Sequence, residues 1–282
     1  MARYGLDTTH RSTPLNLRIM SKVFTVKLRD HTTHTAPTHA AMPIKHAAPR
    51  ATGRLPLGIL LAGGRGARFD PAGTHNKLLA RLTRGPEAGQ PVAFVAARRL
   101  CAALPRVIAV IRPDGAGTEE LARGLRQAGC EVLISADATR GMGASLAAAV
   151  RHGRASASGA AEPSSASARG GPPQQHRDAS GAGDAGDAGD SGWLVALADM
   201  PWLQVATLRA VGAALRAPHS IAAACYQGQR GHPVGFGPAH YEALVRLDGE
   251  HGARSLLQGG AVTLIETGDP GVLDDVDTPQ AL

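Results

Sequence analysis

The chain has 282 residues, 43% of them apolar and only 3% aromatic, enough to bury a core built from Ala, Val and Leu rather than from rings. Its net charge of +7 belongs to one end: residues 1–56 carry nine Lys/Arg against Asp7 and Asp30, and the remainder holds 21 basic and 21 acidic side chains. Charge therefore gives no basic nucleic-acid face on the folded part, and no apolar run approaches the ~18 residues of a membrane span. Cys101, Cys130 and Cys225 are odd in number, widely spaced and without a CxxC pair, which argues against a disulfide framework and a zinc site. Each is expected to be a small core hydrophobe, in a reducing, cytoplasmic setting.

Residues 1–55 mix Thr, His, Pro, Arg and Lys without a helical or strand period and read as a disordered basic tail. They are acid-poor, faintly like an organelle transit peptide, but lack its Ser content and any secretory signal pattern. His10, His31, His34, His39 and His46 are too irregularly spaced to suggest a metal site.

From residue 56 strand-like and helix-like segments alternate: a strand over Pro56–Ala62, a helix at about 91–104, a strand over Arg106–Arg112, a helix over Thr118–Ala128, a short strand over Glu131–Ser135 and a helix from Ala144 to about His152. This βαβα rhythm predicts a three-layer, Rossmann-like α/β domain, with a mostly parallel sheet covered by helices on both faces. Between residues 153 and 192 Ala, Gly, Ser and Pro dominate and Gly-Asp-Ala repeats, so this stretch reads as a flexible insertion. Its Asp184, Asp187 and Asp190 lack the ligand spacing of a calcium loop. The rhythm resumes with a strand over Trp193–Asp199, a helix over Val205–Arg216, strands over Ser220–Tyr226 and His232–Phe236, a helix from about Pro238 to Leu247, a short helix over Ala253–Gln258, a strand over Ala261–Glu266 and a last turn at Thr278-Pro279. One domain, 56–282, absorbs everything folded.

The candidate chemistry starts at Leu61-Ala62-Gly63-Gly64-Arg65-Gly66-Ala67-Arg68, followed by Lys77. A buried strand that ends in glycines exposes backbone N–H groups to phosphate oxygens, and Arg68 and Lys77 add positive charge. The loop has no Gly-Lys-Ser/Thr ending, so it is not a Walker loop, and Phe69 stands where a dinucleotide fingerprint needs Gly or Ala. Asp199 closes an apolar strand, where open α/β sheets collect ligands. Alternation along an extended segment points Asp275 and Asp277 to one side. Each residue has a plainer alternative: Arg68 pairing with Asp70, Asp199 capping the turn before Pro201, Ser145 bonding back to its own helix, His232 serving as a satisfied core imidazole.

Together these segments resemble the molybdenum cofactor cytidylyltransferases and related MobA-like nucleotidyltransferases. Leu61–Arg68 with Lys77-Leu78-Leu79 resembles their N-terminal signature, and Gly141-Met142-Gly143-Ala144-Ser145-Leu146 their second nucleotide segment. Ala198-Asp199-Met200-Pro201 resembles their metal-binding strand end, Arg230-Gly231-His232-Pro233-Val234 their substrate-side turn, and Asp275-Val276-Asp277-Thr278-Pro279 their closing carboxylate motif. The likeness spans 57–282 apart from the insertion. It implies Mg²⁺-dependent transfer of a cytidylyl group from CTP to molybdopterin cofactor, with release of pyrophosphate. In that scheme Leu61, Ala62, Gly63, Gly64, Gly66, Gly141 and Ser145 bind the nucleotide, and Arg68 and Lys77 neutralise the departing pyrophosphate. Asp199 with Asp275 or Asp277 holds the metal, and Arg230 and His232 face the acceptor. A molybdoenzyme maturation chaperone would be a natural partner, with neither nucleic acid nor membrane involved.

Two departures stand out. Asp70–Asn76 lengthens the loop before Lys77, and Gly63-Gly64 is similar to guanylyl-transferring relatives, whereas the later motifs favour cytidine. A guanylyl or sugar-nucleotide transferase on the same fold is the alternative within the class. A non-catalytic molybdopterin carrier is the alternative outside it, one with no use for a pyrophosphate-neutralising pair.

Overall fold

The computed structural model describes residues 55–157 and 191–282. The basic tail and nearly all of the predicted insertion lie outside the described residues. Seven strands, β1 (Leu57–Leu61), β2 (Val107–Ile111), β3 (Glu131–Ile134), β4 (Trp193–Leu197), β5 (Ile221–Tyr226), β6 (Gln229–Phe236) and β7 (Val262–Glu266), form one sheet in the order β3-β2-β1-β4-β6-β5-β7. The helices are α1 (Val92–Ala103), α2 (Thr118–Gln127), α3 (Met142–Ala157), α4 (Val205–Ala213), α5 (Tyr241–Val245) and α6 (Arg254–Gly259).

All neighbouring pairs are parallel except those made by β6, which runs antiparallel to both β4 and β5. The exception has a local cause. Gln227 and Gly228, the two residues between β5 and β6, both have positive φ, 50° and 76°, the geometry of a two-residue hairpin turn.

β1, β2 and β5 are apolar without interruption because both sheet faces are covered. Leu60, Ala109, Leu194, Ala196 and Ala222 pack against α1, α2 and α4, while Leu57, Ile59, Leu61, Ile108, Val110, Trp193 and Val195 pack against α3 and α5. Strand alternation thus divides one sheet between two cores, and each core is made mostly of aliphatic side chains.

The helix expected to stop near His152 continues to Ala157. Gly153 is its pivot: a Cβ there would meet Leu57 Cδ2 at 2.3 Å, so this glycine marks close packing of α3 on β1 rather than a helix end. The single helix expected from Pro238 to Leu247 is a 3-10 turn at Pro238–His240 followed by α5, and α4 stops three residues short of the expected Arg216.

Candidate active site

β1 delivers the chain into the glycine loop at the point where the connections reverse direction, between β1 and β4. Crevices in open sheets form at this point. Gly66 adopts φ +64°, which favours glycine, and its carbonyl accepts from the amides of Phe69 (2.8 Å) and Asp70 (3.0 Å). Arg68 sits within that turn.

The added length before Lys77 is wound around one carboxylate. Asp70 accepts from the Thr74 hydroxyl (2.8 Å), the His75 amide (2.7 Å) and the Ala72 amide (3.0 Å). The Thr74 hydroxyl and then the His75 amide hold its carboxyl far below the usual range. Asn76 then pins the exit, accepting from the Leu78 amide and donating to the Ala116 carbonyl, both at 3.0 Å. Lys77 consequently points inward. It is buried, and its Nζ donates to Asp199 Oδ2 at 2.6 Å and to Asp277 Oδ1 at 3.4 Å.

Asp199 follows β4 by two residues, and its own carbonyl accepts from the Val276 amide at 2.8 Å. This bond ties the C-terminal segment to the end of β4. Val276 is fully buried with Leu82, Val92 and Val95, and Asp275 and Asp277 flank it. Carboxylate oxygens of Asp199, Asp275 and Asp277 lie within 4.8 Å of one another. Arg68 Nη1 sits 2.5 Å from Asp277 Oδ2; its partner is this distant carboxylate rather than Asp70. Burial first, then the charges of Asp277 and Asp199, push the Asp275 carboxyl up, while Lys77 and Arg68 oppose that shift.

A cavity of about 110 Å³ opens beside this cluster, lined by Leu61, Ala62, Gly63, Gly64, Lys77, Gly141 and Asp199 together with Arg65, Arg112, Thr139, Met142 and Glu250. α3 begins at Met142, so its amino end borders the cavity and favours an anion there. Ser145 is buried, and its hydroxyl donates to the Gly141 carbonyl at 2.8 Å, the back-bonded arrangement.

The two residues expected to face the acceptor separate. Arg230 is exposed on β6. His232 lines an apolar cavity of about 130 Å³ with Met142, Val195 and Phe236. The His232 Nδ1 is sealed from solvent without a hydrogen-bond partner, and burial pushes the imidazole pKa down, so the ring is neutral at pH 7.

Arg112 and Glu250 were not among the expected site residues. Arg112 directly follows β2, and a cation at the carboxyl end of a strand beside β1 was a usable signal. Asp114 grips it at 2.6 and 2.7 Å. Glu250 carried no signal, because it arrives on the loop between α5 and α6. That loop is fixed by the Gly143 amide donating to the Gly249 carbonyl at 2.8 Å and by Arg140 against Asp248 at 3.1 Å.

A doubly wound sheet with charged residues gathered under the β1 loop defines an α/β fold with a candidate ligand crevice at that loop. The sequence model of one family, the MobA-like NTP transferase domain, matches residues 58–265. The chain belongs to that family. Among curated proteins it is similar to the purine catabolism protein PucB of Bacillus subtilis, 37% identical over 110 residues. That match covers 38% of this chain and 53% of PucB, about half the relative's length.

Among solved structures it is similar to a nucleotidyl transferase from Methanothermobacter thermautotroptrophicus, with a TM-score of 0.56 and 18% identity over 81% of this chain and 94% of that one. It is also similar to Rv0371c from Mycobacterium tuberculosis, with a TM-score of 0.52 and 24% identity over 82% and 96%. A manganese complex of Rv0371c is similar at a TM-score of 0.50 and 21% identity, over 81% and 96%. These structural likenesses establish the fold.

Proposed function

We propose that residues 56–282 form a catalytic domain that transfers a cytidylyl group from CTP to the terminal phosphate of a molybdopterin-type cofactor, with Mg²⁺, in the cytoplasm. The observation that carries this reading is the meeting of Asp199, Asp275 and Asp277 with Lys77 and Arg68 beneath residues 63–68. Three all-oxygen ligands in this spacing fit a hard divalent cation that binds oxygen at about 2.1 Å and keeps several waters. When bound, the cation supplies charge neutralisation on the phosphates.

The chain's own groups do the rest. The amides of residues 63–66 and the amino end of α3 cradle the triphosphate. Arg68 and Lys77 are already at the carboxylates and need only shift their donors onto nonbridging oxygens to stabilise the charge that develops as pyrophosphate leaves. His232, neutral and walled by apolar side chains, faces the acceptor. No side chain need form a covalent bond.

Cytidine is supported by the likeness of 141–146 and 275–279 to cytidylyl enzymes. Gly63-Gly64 favours guanylyl transfer as a second reading, and the PucB likeness is compatible with a related activity. Pyrophosphate release, measured with Mg²⁺, molybdopterin cofactor and CTP, GTP or UTP in turn, tests both. Release that is fastest with CTP is expected. Release fastest with GTP selects the second reading, and no release with any nucleotide removes both.

A further inference from the structure

Away from these motifs, two of the three cysteines meet. Cys101 lies in the last turn of α1 and Cys130 immediately before β3, and their Sγ atoms are 3.6 Å apart. Nothing in the spacing of 29 residues announces this contact. It arises because α1 and α2 pack side by side and the turn after α2 is held by backbone bonds, Gly129 N to Arg126 O and Cys130 N to Leu125 O, both at 3.0 Å. That turn sets Cys130 against the end of α1.

We propose that Cys101 and Cys130 form a peroxide-reactive dithiol that closes to an intramolecular disulfide and staples α1 to the start of β3. The closure asks little of the fold. The sulfurs must approach by about 1.5 Å to reach a bond of about 2.05 Å, a distance within reach of side-chain rotation.

The two thiols are also unequal. Cys101 is partly exposed and Cys130 is buried. The contact between them lowers the Cys101 pKa and, together with burial, raises that of Cys130. Cys101 is therefore the sulfur that an oxidant reaches first, and Cys130 is the one held against it.

The chemistry balances in two steps. The Cys101 thiolate attacks one oxygen of a hydroperoxide and breaks the O–O bond, giving the sulfenic acid and, after protonation, water or an alcohol. The Cys130 sulfur then attacks the Cys101 sulfur, displacing hydroxide that leaves as water with the Cys130 proton. Two thiols are oxidised by two electrons and one peroxide is reduced. Cys225 is buried in β5 and belongs to a different part of the sheet, so it serves as the internal control.

The pair adjoins the amino end of β3, whereas the glycine loop and Asp199 follow the carboxyl ends of β1 and β4. Oxidation is therefore expected to change stability rather than turnover. The test treats the full chain with hydrogen peroxide and maps it by mass spectrometry without reduction. The expected result is a loss of about 2 Da, one Cys101–Cys130 cross-linked peptide, a fall in titratable thiols from three to one, and a melting temperature raised by on the order of 5 °C that a reductant reverses.

Cys130→Ser is expected to halt at the Cys101 sulfenic acid, trapped by dimedone, and Cys101→Ser to leave both remaining thiols reduced. Three thiols surviving in the treated wild type, a cross-link through Cys225, or oxidation of Cys101 to sulfinic acid without a cross-link would each overturn the proposal. The mapping is done on the wild type, so its outcome stands even where a variant fails to fold.

Discussion

Two stretches of the C-terminal segment, six residues apart, treat their carboxylates in opposite ways. Asp269 is almost fully buried and saturated: it accepts from the Thr207 hydroxyl at 2.7 Å, the Gln204 amide at 2.8 Å and the Gly271 amide at 3.0 Å. Asp275 and Asp277 crowd against each other and Asp199, with Lys77 and Arg68 as their cationic neighbours among the described residues. A carboxylate that holds a fold together is surrounded by donors. On the proposed function, a carboxylate left among like charges is one poised for a cation, which would supply the missing positive charge.

Substitutions can break this contrast. The largest effect is expected for Asp199→Asn, which removes a charged oxygen from the centre of the trio. Pyrophosphate release should fall about a thousandfold, while circular dichroism and the unfolding midpoint stay near the wild type. Asp269→Ala should do the reverse. Three donors lose their acceptor in a buried place, which costs about 3 kcal/mol of stability; denaturant titration measures that loss, and turnover per folded molecule should be unchanged.

Asp70→Ala tests the loop that brings Lys77 inward. Without its acceptor, the 70–76 turn loses the hydrogen bonds that position Lys77, and release of pyrophosphate should slow about tenfold. The Asp70 carboxyl is held low in the fold, so the turn's contribution is present above the unfolded carboxyl pKa and is lost as pH falls through the folded value.

The smallest effect sharpens the comparison by sign. The Asp275 carboxyl is pushed up, so the folded chain holds this proton more tightly than the unfolded one. Its favourable contribution is full below the unfolded carboxyl pKa and is lost as pH rises through the raised folded value. Asp275→Asn should therefore be more stable than the wild type at pH 7 by about 0.5 kcal/mol, solvent screening keeping the gain small. The advantage should shrink towards acid in thermal melts repeated across pH. The same change should weaken divalent-metal binding.

The rhythm of apolar strands and helices from residue 57 onward determined the layered α/β class, because burial on both faces writes itself as uninterrupted hydrophobic runs such as Leu57–Leu61 and Val107–Ile111. The glycine loop was legible for a similar reason: its backbone exposure is coded by consecutive residues. Gly153 resembles a helix end in sequence because a glycine that admits a neighbouring strand looks the same, residue by residue, as one that stops a helix.

Tertiary structure alone decided the rest. Lys77 reaches Asp199 because Asp70 winds the intervening turn, and Asp275 and Asp277 arrive because the Val276 amide bonds the Asp199 carbonyl. Glu250 and the Cys101–Cys130 contact depend on which loops and helices lie side by side. Local pattern reports what each segment buries; the distance between charges 122 or 200 residues apart is fixed only when the packed sheet brings their ends together.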